Sequence, residues 1–426
     1  AMASVGPIRL SALGSRVGPS RFSAGPLQEV MRTPGAHILA QGVPPMSTLP
    51  LASMTLTLSD GSTVTLDEAE TRTAQRYAPF AWAPLRSWLL EHVAEQHKPP
   101  VTEWDVSITA GSMCGIDTVL RLLVDPGDTV LCEEFTFLAS KDLLQTLGAE
   151  LLPLQMDHLG LLPSAVEAAC EERLRAGKPP PKLLYTIPVG QNPTGSRLQP
   201  ERYAQIYALA QKYGLTIVED DAYFYMQHRS AEPATPLPGL SGLGPTYLSL
   251  DTDGRVVRLD TFSKVLAPGF RLAWISGPKG FIAKVDGLQY CSSQWGCSIS
   301  MAILAKLLHT PGWLLTHVTE LQQAMRERCA ALLLAADTHL SDLATWQPPQ
   351  AGMFLWVELK AAREPAALLD AMKRIGVAVM PGESCAAAPP PAGHRHFRLS
   401  YVIDEDQYDV GLQKVRQLVT ETEPKA

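Results

Sequence analysis

Leu183-Leu184-Tyr185-Thr186-Ile187 runs straight into Pro188-Val189-Gly190-Gln191-Asn192-Pro193-Thr194-Gly195, and this stretch decides the fold. The first five residues read as a short buried strand, and the prolines and glycines that follow turn it into a polar loop. Residues 200–213 then read as a helix, ended by Gly214, and Leu215-Thr216-Ile217-Val218-Glu219 as the next strand. Two strands joined by a helix of more than ten residues make a parallel pair with a helical crossover.

The same alternation continues on both sides. Upstream, Pro84 to Gln96 places Leu85, Trp88, Leu89 and Val93 at helical spacing, with the proline near its start. A helix over 113–124 enters from the Gly111-Ser112 turn and is broken by Asp125-Pro126-Gly127-Asp128. Then come strand Thr129 to Cys132, helix 139–147, strand 150–154 and helix 163–176. Downstream, strand 255–259 precedes Lys264, and Leu272 to Ile275 reads as another. The pattern predicts an α/β fold with a mainly parallel sheet. A long helical pattern over 314–340 leads to strand 352–357, helix 364–375, strand 397–402 and a closing helix from 404, which together read as a smaller α/β lobe.

Apolar residues make up 46% of the 426 and charged residues 19%, with a formal net charge of -7. That balance argues against a nucleic-acid or anionic-membrane partner. No apolar run reaches membrane-spanning length. The seven cysteines are scattered, with no C-x-x-C pair, which argues against zinc and a disulfide framework and for a reducing compartment. A cytoplasmic location is expected, with a mitochondrial one as the alternative. Arg9, Arg16, Arg21 and Arg32 precede or flank the first acid, Glu29, faintly like a transit peptide, although an N-terminal arm over the active site is the preferred reading. His394 and His396 lack further ligands at metal spacing, so no metal is expected.

The polar motifs cluster just after strand ends, where open α/β sheets bind ligands. Singly, each has a blander meaning: a surface lysine, a surface ion pair, a helix cap, a turn. As a set they carry chemistry. Lys264 lies between Ser263 and Val265, with Thr261 before it and Arg271 after it. Two hydroxyls and a guanidinium make an oxyanion clamp. Ala110-Gly111-Ser112-Met113 at a helix start is a second anion element. Asp220 is a carboxylate able to keep a pyridinium N–H protonated, each pKa unit being worth about 1.4 kcal/mol. Asn192 and Tyr223 are hydrogen-bond donors for a phenolic oxygen. Arg398, on the same face of its strand as His396, offers a two-point fork to a carboxylate. This is what holding pyridoxal 5'-phosphate (PLP) requires, with the lysine as the nucleophile toward its aldehyde.

Arg76-Tyr77-Ala78-Pro79, Thr109-Ala110-Gly111-Ser112, Pro188 to Gly195, Glu219-Asp220-Asp221-Ala222-Tyr223, Thr261-Phe262-Ser263-Lys264 with Arg271, Ala351 to Trp356, and Phe397-Arg398 follow one another in order. Together they resemble the class I aminotransferases of PLP fold type I, in the branch of the kynurenine/2-aminoadipate and aromatic aminotransferases. The resemblance spans nearly the whole chain. It implies a large domain with a mainly parallel seven-stranded sheet over 46–315, a small domain over 316–426, and an arm over 1–45 covering the active site. It also implies a homodimer with shared active sites, Tyr77 reaching the phosphate of the neighbouring subunit. Gly42 and Arg21 would lie over the substrate, Phe354 would bound its pocket, and Arg398 would hold its α-carboxylate. Lys264 would attach the cofactor and shuttle the Cα proton.

Three positions depart from the branch. Phe137, in Cys132-Glu133-Glu134-Phe135-Thr136-Phe137, stands where a tyrosine usually stacks on the ring. Met113 and Cys114 replace polar residues at the phosphate, and Ala222 replaces a proline. The expected reaction is transfer of an amino group from an aromatic or other large amino acid (kynurenine, 2-aminoadipate, Phe, Tyr, Leu or Met type) to a 2-oxo acid such as 2-oxoglutarate. A C–S lyase or an aminocyclopropane-carboxylate-synthase-like enzyme on the same fold is the alternative, motivated by Phe137. A transcription regulator with an aminotransferase-like domain is disfavoured, since no basic helix-turn-helix pattern precedes the motifs.

Overall fold

The computed structural model describes residues 6–18, 29–30, 33–37, 39, 42–77, 83–229, 235–361, 365–389 and 393–422. Its strands in chain order are β1 (Met54–Thr57), β2 (Thr63–Leu66), β3 (Trp104–Thr109), β4 (Thr129–Glu133) and β5 (Glu150–Leu154). There follow β6 (Met156–Asp157), β7 (Gly160–Leu161), β8 (Leu183–Thr186), β9 (Thr216–Asp220), β10 (Val256–Thr261) and β11 (Ala273–Pro278). The last are β12 (Ala344–Trp346), β13 (Phe354–Leu359), β14 (Met380–Pro381) and β15 (His396–Ser400).

Seven of these form one sheet in the order β3-β11-β10-β9-β8-β4-β5. β5, β4, β8 and β9 pair in parallel, while β11 runs antiparallel to both β10 and β3. The sheet is thus mostly parallel, flanked by helices, as the alternation of elements predicts. β3 is the strand of this sheet that the sequence pattern missed. Its polar residues Ser107 and Thr109 are buried along with Val106 and Ile108, so no exposed face marks it. Ser107 donates to Asp286 at 2.5 Å and accepts from Gln289 at 2.8 Å, both on the helix Lys279–Tyr290.

The chain divides into two compact units, residues 1–125 with 246–316 and residues 126–245 with 317–426. The core of the first is built on Leu85, Leu89 and Val93 of the helix Ala83–Gln96 and on Ile116, Val119 and Leu120 of the helix Ser112–Leu123, all at most 1% exposed.

The second unit holds an antiparallel sheet in the order β12-β13-β15-β14. Phe397 and Leu399 of β15 turn into its core, together with Leu355 and Val357 of β13 and Leu412, Val415 and Leu418 of the helix Tyr408–Thr422. Each such side chain contributes about 1.5–3 kcal/mol by leaving water. Trp356 sits opposite Arg398 and Glu358 opposite His396. Arg398 and His396 therefore share the other, half-buried face. β13 begins two residues later than its pattern suggests. Gly352 is held at φ 80° against the Gly190 backbone, where a Cβ would lie 2.9 Å from the Gly190 carbonyl oxygen. The closing helix begins at Tyr408, because Glu405–Gln407 forms a 3-10 turn first.

Candidate active site

In the first unit β10 ends at Thr261. Its hydroxyl caps the short helix Phe262–Val265 by accepting the Ser263 N–H at 3.1 Å, which sets half-buried Ser263 and Lys264 on the first turn. After the 3-10 turn Pro268–Phe270, Arg271 takes a left-handed φ of 53°, and its Nη1 donates to the Pro268 carbonyl at 3.2 Å. Gly111 precedes the helix Ser112–Leu123 at φ 84°. A Cβ on Gly111 would fall 2.6 Å from Arg271 Nη2. The φ 84°, ψ 164° backbone favours glycine here, and it brings the guanidinium beside a helix start, where N–H groups point outward. Arginine, the Ser112 hydroxyl and helix-start N–H groups are the donor set that a phosphate takes. Met113 follows Ser112, half-buried.

Tyr77 is 52% exposed. With Val43, Pro44, Arg76 and Gln294 it lines a cavity of about 290 Å³ in the same unit. Gly42 is exposed beside Val43. Arg21 lies outside the described residues.

In the second unit β9 ends at Asp220, 5% exposed. The hydroxyl of Tyr185, on β8 and fully buried, lies 2.5 Å from Asp220 Oδ2 and 2.8 Å from Ser140 Oγ. Glu133, at the end of β4, accepts from the Thr186 hydroxyl at 2.6 Å and the Ile187 N–H at 3.0 Å. Burial pushes its carboxyl up to about 7, against those hydrogen bonds. Phe137 immediately precedes the helix Leu138–Thr146, which carries Ser140.

The polar loop after β8 is braced by Gln191. Its Nε2 donates to the Phe135 carbonyl at 2.6 Å, and its Oε1 accepts the Thr194 N–H at 2.9 Å. Asn192 then accepts from Arg398 Nη1 at 2.7 Å. The Arg398 guanidinium lies 4.0 Å above the centre of the Phe354 ring, and the edge of Tyr223 meets that ring at 5.9 Å and 78°. Burial, then the charge of Asp220, pushes the Tyr223 phenol up, with Arg398 and a hydrogen bond from Asn192 opposing.

Asn192, Tyr223, Phe354 and Arg398 thus form one connected group, to which Tyr185, Ser140, Glu133 and Gln191 add supports that motif reading passed over. The one sequence signal for Tyr185 is a hydroxyl-bearing residue inside an otherwise apolar strand, where the hydroxyl needs a partner.

A lysine on the turn after a strand, an arginine beside a helix start and a buried carboxylate closing a parallel strand are features that a PLP-binding fold calls for. The sequence profile of the family "Aminotransferase class I and II" matches residues 39–415, and the chain belongs to that family. The bovine mitochondrial kynurenine/alpha-aminoadipate aminotransferase is 33% identical over 405 residues, covering 90% of this chain and 92% of that one. An aromatic amino acid aminotransferase of Schizosaccharomyces pombe is 35% identical over 354 residues, 78% of this chain and 75% of the other. The crystal structure of the aminotransferase Aro8 from Candida albicans superimposes with a TM-score of 0.86 at 29% identity, covering 97% of both chains. This chain is an aminotransferase of that branch, with PLP as its cofactor. The lyase alternative finds no support in these relatives. Among the described residues no helix is long and apolar enough to cross a membrane, and no cluster of His, Cys, Asp or Glu is placed to hold a metal.

Proposed function

We propose that the enzyme moves the amino group of an aromatic or other large amino acid (kynurenine, 2-aminoadipate, Phe, Tyr, Leu or Met type) to a 2-oxo acid such as 2-oxoglutarate by a ping-pong cycle. The observation that carries this is the Arg398–Asn192 pair at 2.7 Å, flanked by the rings of Phe354 and Tyr223. An arginine held there is a carboxylate anchor with an aromatic wall, and the names of the relatives agree with large substrates.

PLP supplies, when bound, an electrophilic carbon and a ring that takes up negative charge from the substrate Cα. Lys264 Nζ would hold it and would move the Cα proton. Asp220 holds positive charge at the ring nitrogen. Tyr223 and Asn192 donate to the ring's phenolic oxygen, and burial keeps the Tyr223 phenol protonated for that purpose. Phe137 would lie against the ring with no hydroxyl to offer it. Ser112, Met113, Thr261, Ser263 and Arg271 hold the phosphate. Arg398 and Asn192 orient the substrate carboxylate.

In this reading the enzyme is a homodimer with shared sites, Tyr77 serves the phosphate of the other subunit, and Gly42 and Arg21 lie in the covering arm, 1–45. Residues 46–315 act as the cofactor-binding body and 316–426 as the small domain. A reducing compartment, cytoplasmic or mitochondrial, is supported by seven scattered cysteines with no C-x-x-C pair and by the mitochondrial bovine relative.

The test is the visible spectrum of the PLP-loaded protein with single amino acids and no 2-oxo acid. The band is expected to bleach with large and aromatic amino acids, without release of pyruvate and ammonia. Lys264→Ala is expected to lose at least about 10³-fold in turnover. No band in the parent protein, or undiminished turnover in Lys264→Ala, would overturn the reading.

A further inference from the structure

To hold charge on a pyridinium, Asp220 has to stay ionised in a buried setting. Burial at 5% exposure favours the neutral acid, and Glu133 is a second buried carboxyl close enough for Asp220 to raise it. A neutral Asp220 would not hold charge on a pyridinium.

Tyr185 meets that requirement. β8 pairs with β9 in parallel, Tyr185 opposite Val218. Asp220, two residues on from Val218, therefore points to the same face as Tyr185. The phenol has one proton, and the carboxylate oxygen at 2.5 Å is the stronger acceptor. Ser140 at 2.8 Å must then be donor to the phenol oxygen. The three groups form a chain directed one way, Ser140 to Tyr185 to Asp220, in which each bond polarises the next. Burial and the Asp220 charge push the Tyr185 phenol well above its ordinary range, so it remains a donor at any working pH. Asp220 also raises two further titratable groups, Glu133 at the end of β4 and Tyr223.

We propose that Tyr185, oriented by Ser140, is a positioning residue that keeps Asp220 ionised and in place, and so sets the charge on the cofactor ring. The inference rests on the cofactor reading given above. It assigns a function to the helix Leu138–Thr146 beyond carrying the chain onward from Phe137: its first turn orients the phenol behind the ring's acid.

The experiment compares the PLP-loaded parent with Tyr185→Phe and Ser140→Ala. It reads three quantities: the pH midpoint of the visible band of bound PLP, the dissociation constant for PLP, and kcat against KM. Loss of the phenol donor weakens the ring's positive charge, so in Tyr185→Phe the midpoint moves up by about one pH unit. PLP binds roughly tenfold more weakly and kcat falls about tenfold at little-changed KM. Ser140→Ala shifts the midpoint in the same direction by less, and reports even where Tyr185→Phe folds poorly. Midpoints equal to the parent's in both variants, with only the melting temperature lowered, would make Tyr185 a packing residue and overturn the inference alone. Absence of a visible band in the parent would instead overturn the cofactor reading beneath it.

Discussion

The anion cradle of the first unit and the carboxylate group of the second are built by opposite means. In the cradle, Thr261, Ser263, Lys264 and Arg271 lie within one short stretch, and capping and turn geometry place them. Its arginine is exposed. In the second unit the contacts join residues far apart in sequence: 35 residues for Tyr185 and Asp220, 45 for Tyr185 and Ser140, 206 for Arg398 and Asn192. Most of these groups are buried. The loop half of the cradle is local and its arginine faces water, so its charge interactions are screened and it tolerates the loss of one member. A buried group of side chains is stronger per bond and fails when one partner goes.

The sharpest way to break this contrast is Arg398→Gln. A hydrogen bond to a charged, half-buried partner is worth about 1.5–3 kcal/mol, so kcat/KM is expected to fall about 100-fold, mainly through KM, in steady-state assays across amino acids. A loss under about fivefold would place the carboxylate anchor elsewhere.

Gly111→Ala tests the cradle. The new Cβ meets Arg271 at 2.6 Å on a backbone at φ 84° and ψ 164°, a region nearly confined to glycine that costs roughly 1–3 kcal/mol for other residues. PLP affinity, titrated into the apoprotein, is expected to fall about tenfold with KM for the amino acid little changed. If Gly111→Ala proved as costly to kcat/KM as Arg398→Gln, the two regions would not differ in the way described.

The smallest effect is one of stability and pH. Glu133 keeps its proton to about 7 in the folded chain, against an ordinary 4.5. The folded state therefore binds this proton more tightly than the unfolded one, and the advantage is present below about 4.5 and lost as pH rises towards 7. Glu133→Gln removes that loss. Its melting temperature relative to the parent is expected to rise by roughly 3 °C between about pH 5 and about pH 8. An unchanged difference would mean that the carboxyl does not titrate in that window.

Much of this was legible in advance, for reasons particular to each element. β8, the loop through Asn192 and the helix Pro200–Tyr213 followed from an apolar run, prolines and a closing Gly214. The helix Ser112–Leu123 followed from its Gly-Ser entry. β3 escaped because its polar residues are buried against Asp286 and Gln289, so the strand shows no wet face. β13 was misplaced at its start because the Gly352 turn is imposed by contact with Gly190.

What the sequence by itself determined was the alternation of strands and helices from β4 to β11, the family and the identities of Lys264, Asp220, Asn192, Tyr223, Arg271 and Arg398 as candidate site residues. Periodicity and turn chemistry act over a few residues and can be read directly. Only the tertiary structure decided that Arg398 reaches Asn192 across Phe354, and that Tyr185 and Ser140 stand behind Asp220. Those are hydrogen bonds and ring contacts between distant residues, and nothing local to Tyr185 says where its proton goes until β8 and β9 lie side by side.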